Sequence, residues 1–161
     1  MQTIPSRGQN DHVPVLEKDV LTSLNVPSNG VVFDGTLGGG GHAVSILKLL
    51  TGNGHFIGTD KDKDAVLACN NRLKSSHSRI SLYHESYHNI DIVLGKVGLR
   101  KVNCLLLDLG LSSLQLNNRK RGFSFNSDSF LDMRFNQEQS LTASNIINDS
   151  TESELADIMF Y

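Results

Sequence analysis

The sequence predicts an α/β protein built on a parallel sheet. Short apolar runs alternate along the chain with amphipathic helical stretches. A glycine-rich turn joins the first such run to a helix. The fourth run, Val102 to Leu109, is interrupted only by Asn103 and Asp108, as expected of a strand buried on both faces.

The elements follow in order. Leu16, Val20, Leu21 and Leu24 share one face of a predicted helix over Val15 to Leu24. Pro27 to Gly30 is a turn, and Val31, Val32 and Phe33 form a strand ending at Asp34. Gly35-Thr36-Leu37-Gly38-Gly39-Gly40-Gly41 leads into a helix from His42 to about Leu50, stopped by Gly52-Asn53-Gly54. A second strand runs from His55 to Thr59 and ends at Asp60. The helix from Asp62 to Leu73 places Ala65, Val66, Cys69 and Leu73 on one side. Arg79 to Tyr83 is the third strand and Asn89 to Val97 the next helix. Right-handed crossovers then give the strand order 3-2-1-4 of a Rossmann-like sheet.

After Leu116 the pattern changes. Asn117 to Asn136 carries Arg119, Lys120 and Arg121 beside several phenylalanines and has no clear period, so it reads as a long loop. Short helices follow around Thr142 to Ile147 and from Glu152 onward. Thr151 and Glu154 have capping-box spacing. The apolar face of this last helix still continues at Phe160-Tyr161, which predicts a chain cut within a helix and an incomplete sheet.

Composition narrows the function classes. The chain has 161 residues, near the size of one domain, and a net charge of −2. A globally basic nucleic-acid binder is excluded; a local basic patch is not. No apolar run approaches the roughly 20 residues of a membrane span, and the polar start, Met1 to Asp11, has no secretory core. Cys69 and Cys104 make neither a disulfide framework nor a metal cluster, which fits a reducing cytoplasm.

The glycine loop is the first candidate site. Glycines let a ligand approach backbone N–H groups at a helix start. Gly38-Gly39-Gly40-Gly41-His42-Ala43 satisfies G-x-G-x-x-G/A, and Asp60 lies at the end of the second strand. A carboxylate there suits the two hydroxyls of a ribose. A flexible turn is the plainer reading of the glycines alone. Asp34 at the first strand tip would repel a pyrophosphate but attract a cationic methionine group. That favours S-adenosylmethionine over NAD.

The second candidate is Asp108-Leu109-Gly110-Leu111-Ser112-Ser113-Leu114-Gln115, at the fourth strand tip. Here the topological switch point opens a crevice. Asp108, Ser112 and Ser113 could orient an amine there; the alternative is a capped strand-to-helix turn. A Ser112-His42-Asp108 hydrolase lacks the G-x-S-x-G elbow.

These pieces together resemble the bacterial 16S ribosomal RNA cytosine-N4 methyltransferases, the RsmH (formerly MraW) family. The matching segments are His12-Val13-Pro14-Val15-Leu16, Asp34 to His42, Gly58 to Asp62, Asp108 to Gln115, Arg121-Gly122-Phe123-Ser124-Phe125 and Leu131-Asp132-Met133-Arg134. The resemblance implies a class I, S-adenosylmethionine-dependent methyltransferase acting on the N4 amine of a decoding-centre cytidine in 16S rRNA of the small ribosomal subunit. It implies cofactor contacts at Gly38, Gly40, Gly41, His42, Asp60, Tyr87, Asp108 and Gln115, and a site-lining role for His12. Tyr87 stands where the family has phenylalanine, Leu114 where it has proline, Ser129-Phe130 where it has Gly-Pro, and Phe135 where it has methionine. Arg121, Phe123 and Phe125 are candidates to clamp or stack on RNA, with loop packing or a solvated face as the alternatives. The organisation implied is a polar tail over 1–12, a methyltransferase core over 13–116, and a substrate-side loop with the start of an inserted helical domain over 117–161. Two other functions stay open: an inactive or RNA-binding remnant of the enzyme, and an NAD-linked oxidoreductase domain.

Overall fold

The computed structural model describes residues 14, 16–76 and 78–160. The readings at His12, Val13, Val15 and Tyr161 fall outside those residues. Four parallel strands, β1 (Val31–Asp34), β2 (His55–Asp60), β3 (Arg79–His84) and β4 (Cys104–Leu106), pair in the order β3-β2-β1-β4. This is the order that the crossover rule requires.

Helices cover the sheet in two layers. On one face lie α1 (Glu17–Leu24), α2 (Gly41–Leu47) and α3 (Lys63–Leu73). Their apolar sides enclose Val32, Phe56, Cys104 and Leu106 together with Ala43, Ile46, Cys69 and Leu73. On the other face α4 (Ile90–Lys96) packs Val93 and Leu94 against Phe33 and Ile57. The alternation of β1 therefore sends Val32 and Phe33 into different cores. Each fully buried aliphatic or aromatic side chain contributes about 1.5–3 kcal/mol.

The chain changes layer between α3 and α4. Strand order consequently reverses between β1 and β4, and a crevice opens at their C-terminal ends. Gly35 N–H to Leu106 O, at 2.9 Å, is the last bond of the β1–β4 ladder; the next N–H, of Thr36, turns back to Asp34 Oδ1 at 3.0 Å.

Two expectations are corrected. The fourth strand spans Cys104–Leu106, not Val102 to Leu109. Asp108 N–H turns away to donate to Thr36 Oγ1 at 2.7 Å, so no ladder continues past the tip of β1. Nor is β4 buried on both faces: Cys104 and Leu106 are buried, but Leu105 is 49% exposed because β4 is an edge strand. The segment after Leu116 is also less irregular than expected. It contains the end of α5 (Ser113–Asn117) and a 3-10 turn at Arg119–Arg121. Helices α6 (Ala143–Asp149) and α7 (Glu152–Phe160) follow, the latter with the predicted Thr151–Glu154 cap.

Candidate functional site

The crevice is built from strand tips. Asp34 ends β1, Asp60 ends β2, and Asp108 follows β4. The glycine loop lies between the first two. Gly38 and Gly40 adopt φ of +48° and +74°, which L side chains rarely reach. A Cβ on Gly40 would also lie 2.9 Å from Cys69 Sγ, whereas Gly39 faces open space. Helix α3 thus supports the loop from behind, and Arg72 adds a hydrogen bond to Gly39 O at 3.1 Å. In front, Gly38 lies 3.6 Å from Ser112 Cβ, and Gly39 is open.

Asp60 is pinned by backbone. Its Oδ2 accepts from Gly38 N–H at 2.9 Å and its Oδ1 from Asp62 N–H at 2.8 Å. Each oxygen keeps a further lone pair. Burial raises the Asp60 pKa, the two N–H donors oppose that rise, and the nearby Asp62 charge adds to it. Asp34 is 1% exposed, and burial pushes its pKa up to about 7. The hydrogen bond from Thr36 N–H works against this, while the Asp60 and Asp108 charges reinforce it.

The fourth-strand tip is tied to the first. Thr36 Oγ1 accepts from Asp108 N–H and approaches Asp34 Oδ1 at 3.5 Å. His42 Nε2 is 3.5 Å from Asp108 Oδ2, and His42 Nδ1 is buried without a partner. Ser112 caps α5: its hydroxyl accepts from Gln115 N–H, and Gln115 Oε1 accepts from Ser112 N–H. The plainer alternative, a capped strand-to-helix turn, therefore describes the local structure. Ser113 is the first residue of that helix and is half-buried. Tyr87 opens a 3-10 turn after β3, with its Cβ against Gly35 and its ring 5.0 Å from that of His88.

Arg121 is where the structure departs most from expectation. An RNA clamp needs an exposed guanidinium, but Arg121 is 2% exposed. Its Nη2 lies 2.9 Å from Asp62 Oδ2 and donates to the carbonyls of Arg134 and Phe135. Phe123 is half-buried, edge-on to Phe135 at 5.6 Å between centroids, with the Arg121 guanidinium over its ring. Phe125, by contrast, is fully exposed. Gln115 is likewise committed: its Nε2 donates to Asp62 Oδ2 at 3.0 Å.

Sequence reasoning missed Asp62, Thr36 and Arg72. The D-x-T and D-x-D spacings at Asp34-Gly35-Thr36 and Asp60-Lys61-Asp62 are local turn signals that point to the first two. Nothing local signals that Arg72 reaches Gly39 or that Arg121 reaches Asp62.

The residues fit S-adenosylmethionine chemically. A bare glycine surface, a pinned ribose-type acceptor and further carboxylates suit an adenosine joined to a cationic amino acid. The strand-tip carboxylates Asp34 and Asp108 are less favourable to a pyrophosphate.

A model of the MraW methylase family matches residues 9–161. The chain belongs to the MraW methylase family. A ribosomal RNA small subunit methyltransferase H from Lachnospira eligens is 44% identical over 144 residues, covering 89% of this chain and 46% of the relative. One from Clostridium botulinum strain Kyoto is 43% identical over 148 residues, covering 92% and 48%. The chain thus spans about half the length of these relatives. Among solved structures, a SAM-dependent methyltransferase from Aquifex aeolicus is similar with a TM-score of 0.40, at 14% identity over 44% of this chain and 38% of that one. That likeness is too limited to add to the fold given by the strand order. Among the described residues no helix is long and apolar enough to cross a membrane.

Proposed function

We propose that this MraW-family chain carries the S-adenosylmethionine site of a methyltransferase that modifies the N4 amine of a cytidine in 16S rRNA of the small ribosomal subunit, in the cytoplasm. The observation that carries the reading is the convergence of Asp34, Asp60 and Asp108 around the glycine loop at the switch point, where Gly39 faces open space. That arrangement also disfavours an NAD-linked reaction, because a pyrophosphate would meet like charge.

Bound S-adenosylmethionine supplies an electrophilic methyl group. The protein's task is then mainly alignment, where fixed orientation contributes roughly 7–11 kcal/mol. Asp60 would accept from the ribose hydroxyls. The Gly38, Gly40 and Gly41 backbone would hold the cofactor, with His42 at the foot of the loop, and Tyr87 would take the adenine side. Asp34 and Asp108 provide negative charge for the cationic end. Gln115 completes the pocket from behind, by holding Ser112 and Asp62. The cytosine N4 lone pair is delocalised into its ring. An acceptor on its N–H restores nucleophilicity and takes the proton. Asp108 is the first candidate for that acceptor and Ser112 or Ser113 the second. Residues 13–116 form the cofactor-side core. Residues 117–161 form the RNA side, where the exposed Phe125 ring replaces Arg121 as the candidate for stacking on a splayed base. Phe123 supports that loop from within.

Calorimetric titration tests the cofactor site. Saturable binding of S-adenosylmethionine, no binding of NAD, and at least tenfold weaker binding by Asp60→Ala are expected. A folded chain that binds NAD and not S-adenosylmethionine would refute the reading. Incubation of small subunits with the chain and radiolabelled S-adenosylmethionine tests the reaction. Label in N4-methylcytidine is expected. Cofactor and RNA binding without label would instead mark a binding remnant.

A further inference from the structure

The buried ion pair behind the ribose acceptor has a further consequence. Asp62 and Arg121 lie 59 residues apart in sequence, yet both side chains are almost completely buried and 2.9 Å apart. Asp62 makes four contacts from this position. Its Oδ1 accepts from Asp64 N–H at 3.1 Å, which caps α3. Its Oδ2 accepts from Gln115 Nε2 at 3.0 Å and pairs with Arg121 Nη2. Its own N–H donates to Asp60 Oδ1 at 2.8 Å. Arg121 in turn closes the loop after it: Nη2 donates to Arg134 O and Phe135 O, and Met133 N–H donates to Arg121 O at 2.9 Å.

We infer that Arg121 is a positioning residue for the cofactor site, acting through Asp62 to aim the Asp60 carboxylate at the ribose. The role rests on Asp60 being the ribose acceptor. A buried carboxylate without its cation is strongly unfavourable. Without Arg121, Asp62 turns toward water and leaves both Asp64 N–H and Gln115. Its backbone N–H then no longer fixes Asp60 Oδ1, and Asp60 loses one of its two anchors. The loop over residues 121–135 loses its closure in the same event. The ribose acceptor and the RNA-side loop are thus held by one guanidinium.

A purely structural role and a positioning role give different results with paired ligands. S-adenosylhomocysteine and its 2′-deoxyribose analogue are titrated into the wild-type chain, Arg121→Met and the double variant Asp62→Asn/Arg121→Met. Circular dichroism establishes folding of each. In the wild type, loss of a hydroxyl bonded to a carboxylate is expected to weaken binding by about tenfold or more. In Arg121→Met, the parent ligand binds at least tenfold more weakly and the two ligands differ by less than about twofold. The double variant strands no buried charge, so the amide side chain of Asp62→Asn keeps capping α3 and its backbone N–H stays on Asp60; it is expected to keep its fold and to recover most of the preference for the hydroxyl. Undiminished preference for the hydroxyl in folded Arg121→Met overturns the positioning role, as does a double variant that discriminates no better than Arg121→Met. Equal binding of both ligands by the wild type, or binding of neither, refutes Asp60 as the ribose acceptor, and the positioning role falls with it.

Discussion

Asp34 couples the chemistry of the crevice to pH. Its carboxyl is buried at the end of β1, and burial raises its pKa from the ordinary 3.8 to about 7. Between those values the folded chain binds more protons than the unfolded one. Stability contributed by protonated Asp34 is therefore fully present below about pH 4 and is lost as pH rises through 7. Asp34→Asn removes that dependence. Thermal melts of this variant are expected to gain on the wild type by up to a few kcal/mol between pH 5 and pH 8. A constant difference across that range would show that Asp34 is ionised throughout. A cation bound beside Asp34 has the opposite effect, since it favours the ionised form. Binding of S-adenosylmethionine near pH 6.5 should accordingly release protons, seen as a dependence of calorimetric heat on buffer ionisation enthalpy. Asp34→Asn should abolish that dependence. Gly35 gives a second prediction at this scale. A Cβ there would lie 2.5 Å from Leu107 Cδ2 and 2.7 Å from Tyr87 Cβ. Gly35→Ala should cost about 1–3 kcal/mol in denaturant melts and displace Tyr87.

Among the elements, α5 shows how a local device sets a functional surface. It has five residues, too few to persist alone, and depends on its capping box. Ser112→Ala is expected to cost about 1 kcal/mol. Ser112→Asn restores most of that stability, because asparagine also caps. Measuring methyl transfer in both variants separates the two roles of Ser112. Recovery of stability without recovery of activity assigns the hydroxyl to the reaction. The same element shows what sequence reading captures. Ser112 and Gln115 have the spacing of a capping box, yet the sequence reading reached only a capped strand-to-helix turn as an alternative and placed no helix there, because a nearly aperiodic loop follows. Strand order, the apolar helix faces and the glycine turn were legible, since alternation, helical spacing and crossover handedness are local or topological signals. The extent of β4 was not. It is set by where β1 ends, and the run from Leu105 to Leu109, broken only by Asp108, continues beyond that limit. The Arg121–Asp62 pair was hidden for a related reason: three basic residues in a row suggest a solvated patch, and only the tertiary path of the loop turns one of them inward.

At the scale of the whole molecule, the sheet has one edge that matters. Strand β3 ends the sheet with six residues paired to β2, and its flanking side chains are partly buried. Strand β4 ends it with three residues, followed by Leu107, Leu109 and Leu111, all exposed. Leu105 and Leu107 alone are 49% and 39% exposed on neighbouring turns of the backbone. An edge of unpaired backbone flanked by apolar side chains is a template for a further strand. No charge guards it between Asn103 and Asp108. The chain in isolation should therefore self-associate as its concentration rises, with a larger sedimentation coefficient at 200 than at about 10 µM. Leu105→Lys places a charge on this edge and, at a half-exposed position, should change stability by less than about 1 kcal/mol. It is expected to return the chain to a concentration-independent monomer while leaving S-adenosylmethionine affinity intact, because Leu105 lies on the sheet edge and not at the strand tips. If Leu105→Lys associates as strongly as the wild type, the contact lies elsewhere, and the exposed Ile158, Met159 and Phe160 face of α7 becomes the surface to alter next.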